Sequence, residues 1–180
     1  MNRLIDIEFL KDREACINGI KYFEGEIKEP IAARELINRL LAADDVGKIK
    51  WVNWLLCNLF PRDQAIAYAV FAAEQVLSIF EAKYPADKRP REAIEAAKQV
   101  LIEDNEGNRA KARAAADKAY VTYSATYAAS AAAYASDVAH ASAAAYSAVA
   151  YAAAAAYTAG GKEMLLKIID YGIGLLGVKK

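Results

Sequence analysis

Apolar positions recur at helical spacing along most of the chain. Ile31, Leu36, Ile37, Leu40 and Leu41 fall together on a helix over residues 30–43. Trp51, Trp54, Leu55 and Leu59 share a face of the next, shorter helix. Phe60-Pro61 ends it, because a proline pushes the preceding residue out of the helical region. Ile66, Val70, Val76, Leu77 and Phe80 alternate with Glu74, Gln75, Ser78 and Glu81, which predicts a helix from Gln64 to Lys83 capped by Asp63. Ile94, Ala97, Val100 and Leu101 predict another from Arg91 to Glu103. Leu165, Ile168, Ile169 and Leu176 define a terminal helix from Lys162 to Leu176. The first apolar run, Ile5 to Phe23, reads as one helix or a short helix pair carrying Leu10, Ile17 and Ile20.

Breakers fall between these runs. Gly25 ends the first, Pro30 suits the first helical position of the second, and residues 43–47 form a turn. Residues 84–90 are a loop bounded by two prolines, and Asn105-Glu106-Gly107 breaks the following helix. No run alternates with the two-residue period of a strand, and no hairpin turn joins strand-like segments. The expected fold class is all-α, a multi-helix bundle.

The longest pattern is of another kind. Residues 109–159 are about half alanine, with Ser, Thr and Tyr between and no glycine or proline before Gly160-Gly161. Alanine loses no side-chain entropy in a helix, so the stretch reads as helical. One straight rod would be roughly 75 Å long, at about 1.5 Å per residue. A compact chain of this size is only about 40 Å across. Tyr120, Tyr123, Tyr127 and Tyr134 share a face, whereas Tyr146, Tyr151 and Tyr157 fall out of phase with them. A hairpin of two helices, 109–134 and 137–159, with a new cap at Ser136 or Asp137, satisfies both facts. Composition thus divides the chain into a helical domain, 1–108, and an Ala-rich helical tail, 109–180, packed on it.

Charge narrows the function classes. Twenty-three basic residues balance 23 acidic ones, so nothing global points to nucleic acid or to an anionic membrane. Residues 138–161 carry no Asp, Glu, Lys or Arg, but Ala, Ser, Thr and His make them too weakly apolar for a bilayer span. Cys16 and Cys57 have no metal-ligand spacing, and the charged first residues do not resemble a signal peptide. A reduced, cytoplasmic protein without cofactor or metal is expected.

Few constellations could carry chemistry. Ser136, Asp137 and His140 meet on a helix face, yet one Ala-rich helix offers no oxyanion hole and no substrate pocket. A capping Asp and a packed or exposed His explain them. Trp51 and Trp54 read either as core or as a partner-binding patch rimmed by Lys48 and Lys50. Tyr84-Pro-Ala-Asp87-Lys-Arg89-Pro-Arg91 reads as a rigid corner. In it Asp87, Arg89 and Arg91 lock the loop through charge-assisted bonds, with Arg89 paired and at least partly buried.

That corner, continued as Glu-Ala-Ile-Glu-Ala-Ala and preceded by AVFAAEQVLSIFEAKYP, resembles the immunity protein family found in bacterial polymorphic-toxin loci and widely in phage genomes. Trp51-Val-Asn-Trp54-Leu-Leu, and Ala15-Cys16 followed by Tyr22-Phe23, are similar to that family's N-terminal half. The resemblance covers residues 12–118 by motif and the tail by composition. It implies binding or inhibition of a protein and supplies no catalytic residues. The expected function is a non-enzymatic inhibitor of immunity or phage counter-defence type that occludes a toxin or host defence protein. Trp51, Trp54, Tyr84, Asp87, Arg89 and Arg91 are the partner-binding candidates. A binder of a small ligand or nucleotide signal near Tyr84, Arg89 and Arg91, or a structural phage protein, are the alternatives. The uncharged tail suggests self-association. In a homodimer Tyr146, Tyr151 and Tyr157 would anchor the contact, and glutamate at Ala144 and Ala148 would break it without unfolding the monomer.

Overall fold

The computed structural model describes residues 3–119, 128–129, 131–132, 141–155 and 161–177, and its contacts group into two units, 1–58 and 59–180. The division falls in the last turn of one helix. The compositional boundary expected at 108/109 lies inside another helix, Glu106–Ala119, and is not where the contacts divide.

The first unit begins with a ladder that the periodicity did not reveal. Leu4–Ile5 (β1) pairs antiparallel with Ile31–Ala32 (β2), setting Ile5 opposite Ile31, and Ala33 N–H extends the ladder to Arg3 O at 2.9 Å. Two-residue strands are too short to show alternation. Ile5 is therefore in a strand rather than a helix, and Pro30 precedes a strand rather than opening a helix.

Helix α1 (Ile7–Asp12) starts where the Asp6 carboxylate accepts from Phe9 N–H at 2.8 Å. α2 (Ile17–Tyr22) follows, so the first run is a helix pair. α2 continues into a π turn, Phe23–Ile27, closed by Lys28 N–H on Phe23 O at 2.8 Å. Gly25 sits within this turn instead of ending the helix. Lys28 then adopts φ 66° and ψ −40°, and Glu29 N–H donates to Ile27 O at 2.8 Å. That is a γ-turn of the rare, strained kind. α3 (Ala33–Ala42) and α4 (Val46–Leu59) complete the unit. Phe9, Phe23, Leu36, Ile37, Ile49 and Val52 are among its buried residues.

The second unit is arranged around α5 (Arg62–Lys83). Its N-cap is Pro61 with no side-chain cap, and Asp63 lies in the first turn, where a carboxylate favours the positive helix end. Ala65, Tyr68, Ala69, Val70, Ala72, Ala73 and Val76 are buried around several sides of it, because three helices pack on it. These are α6 (Arg89–Ile102), α8 (Ala141–Ala155) and α9 (Gly161–Gly177). By length and composition α5 would also suit a bilayer; here more than half of its apolar window is buried inside the protein. α7 (Glu106–Ala119) packs on α6 and buries Ala112, Ala116 and Ala119.

The Asn105 side chain accepts from Asn108 N–H at 2.8 Å. The residues expected to break one helix therefore cap the start of the next. Helix is the fold class throughout, with the short ladder its one exception among the described residues. Tyr120, Tyr123, Tyr127, Tyr134, Ser136, Asp137 and His140 lie outside the described residues, as does the expected break between the two tail helices.

Candidate partner-binding surfaces

The corner between α5 and α6 is built by local hydrogen bonds. Tyr84 N–H closes α5 on Phe80 O at 2.8 Å, and Asp87 N–H turns back to Tyr84 O at 3.1 Å. The Tyr84 ring lies 5.0 Å from Phe80, with the Lys83 ammonium 5.4 Å from its centre. Asp87 Oδ1 accepts from Arg89 N–H and Nε, while Oδ2 accepts from Nη2 at 2.6 Å. Pro90, buried in the first turn of α6, fixes the helical φ there.

Arg91 does not join that loop. Its Nε and Nη2 reach Glu81 on α5 at 2.7 and 2.6 Å, a bidentate bond between the two helices. Arg89 is paired as expected but is not buried: its side chain is 46% exposed and that of Arg91 50%. These pairs hold the Asp87 and Glu81 carboxyls below their ordinary values, chiefly through the hydrogen bonds from Arg89 and Arg91. Each guanidinium fork already holds a carboxylate. An anionic ligand at Tyr84, Arg89 and Arg91 would first have to displace Asp87 or Glu81.

Farther along, Lys98 bridges Glu74 on α5 and Glu95 on α6, at 2.7 and 2.8 Å. At the far end of the hairpin, Asp104 accepts from Arg109 Nε at 2.6 Å and pairs with Arg62. The hydrogen bond from Arg109, then that from Arg62, pulls the Asp104 carboxyl down to about 2. Sequence spacing gives no hint of the Glu81–Arg91 and Arg62–Asp104 pairs, since each partner belongs to a different helix or loop.

On the Ala-rich helix α8 the structure separates two faces that composition could not. Ala145, Ala148, Val149 and Ala152 are fully buried, Ala144 is 9% exposed, and α8 packs along α5. Glutamate at Ala144 and Ala148 would therefore strike the interior of the unit, not a dimer contact. The opposite face carries Ala143, Tyr146, Ala150, Tyr151 and Ala154, all exposed and none charged. Tyr146 is 37% and Tyr151 40% exposed; Tyr157 lies outside the described residues.

Trp51 and Trp54, on α4, are half-buried. Tyr22 lies 5.6 Å from Trp51, ring centre to ring centre, and the Lys48 ammonium sits 4.8 Å from the centre of the Tyr22 ring.

Cys57 is buried, with its thiol 3.8 Å from Asn53 Oδ1, and burial pushes that thiol up. Cys16 is exposed, and its sulfur caps α2 by accepting from Gly19 N–H at 3.4 Å. Among the described residues no three His, Cys, Asp or Glu side chains are grouped to hold a metal.

A family model described as Imm-5 like putative immunity protein matches residues 55–171. The match runs from the last turns of α4 to Tyr171 in α9. It includes the corner and the buried face of α8, and it begins just after Trp54. No curated protein and no solved structure matches the chain.

Proposed function

The chain belongs to the Imm-5 like immunity protein family, and on that premise we propose that it is a non-enzymatic inhibitor that binds a protein and occludes it. The partner is a toxin or a host defence protein, met in the cytoplasm, and the setting is immunity or phage counter-defence. The family match over residues 55–171 carries this reading. The outer face of α8 supports it. An exposed helix face with two tyrosines and no charge suits a protein contact, because tyrosine buries a large ring at small entropic cost while its hydroxyl keeps a polar partner. Self-pairing of the chain, under the same reading, uses Tyr146 and Tyr151 on that outer face.

Affinity capture with the purified chain, followed by native mass spectrometry, tests the proposal. The expected result is a stoichiometric complex with one protein whose own activity falls when the chain is added. Capture of a small molecule in place of a protein would overturn it. So would a captured partner that stays fully active.

A further inference from the structure

We draw no further inference here: the strongest candidate, the half-buried tryptophan face of α4 at Trp51 and Trp54, has lysines and exposed aspartates together at its edge, and nothing in the structure shows what covers it.

Discussion

Replacing Ala148 by leucine tests how closely α8 is packed. Ala148 is fully buried in α8, which packs on α5 and α9. If the interface had room, three added carbons would contribute about 2.4 kcal/mol, at roughly 0.8 kcal/mol per buried methylene. At a side chain with no exposed area that room is missing, and forcing extra methylenes into a well-packed core costs about 1–3 kcal/mol. Leucine is nearly as good a helix former as alanine, so propensity does not blur the result. Ala148→Leu is expected to destabilise by about 1–3 kcal/mol. Ala150→Leu, two residues away on the exposed face, is expected to stay within about 0.5 kcal/mol. Urea unfolding followed by far-ultraviolet circular dichroism measures both, and an unchanged slope in urea assigns the difference to stability. A leucine at 148 that leaves stability unchanged or raised would refute close packing, as would equal losses at 148 and 150.

Four further outcomes follow from the geometry. The Asp104 carboxyl is depressed to about 2 when folded, so its contribution is full above its ordinary value near 3.9 and is lost as the pH falls through about 2. Asp104→Asn should lower the melting temperature at neutral pH and flatten the acid limb over that window, and superimposable acid limbs would contradict it. Arg91→Ala should lower the melting temperature slightly more than Arg89→Ala, because Arg91 joins two helices whereas Arg89 closes a loop. Both effects are small for side chains this exposed, and a large loss at Arg89 would restore the buried role expected from the sequence. Lys28→Gly should raise stability by up to ~1 kcal/mol by relieving the positive φ, and a fall would mean that the γ-turn is not strained. In the native protein a thiol reagent should modify Cys16 and spare Cys57 until unfolding, and rapid reaction of both would contradict the burial of Cys57.

The elements legible in the sequence were those marked by local chemistry. Pro85 and Pro90 bounded the α5–α6 corner, and Asp87 with Arg89 lay close enough in sequence to be paired from spacing alone. The periodicity of Leu36, Ile37 and Leu40 located α3, and the apolar spacing around Val76 and Phe80 located α5. What failed had no local mark. The two-residue strands at Leu4 and Ile31 are held by a partner far away in sequence. Arg91 found Glu81 on the preceding helix, not the nearer Asp87. Alanine is the same on every side of a helix, so nothing local said which face of α8 was buried. The tyrosines there are the exposed residues, although large rings ordinarily suggest a core. Trp51 and Trp54 are half-buried on α4, between the core and patch readings that the sequence held side by side.

The packing of α8 on α5 also bears on the order of assembly. α5, α6 and α7 are consecutive and pack as sequence neighbours, joined by turns of a few residues. Such contacts close small loops and form early. α8 reaches α5 from much farther along the chain, so its docking costs more loop entropy and comes later. Until then the side of α5 that α8 covers lies open. A chain leaving the ribosome from its N-terminus would expose that apolar face until residues 141–155 had been synthesised, which makes it a natural hold for a chaperone.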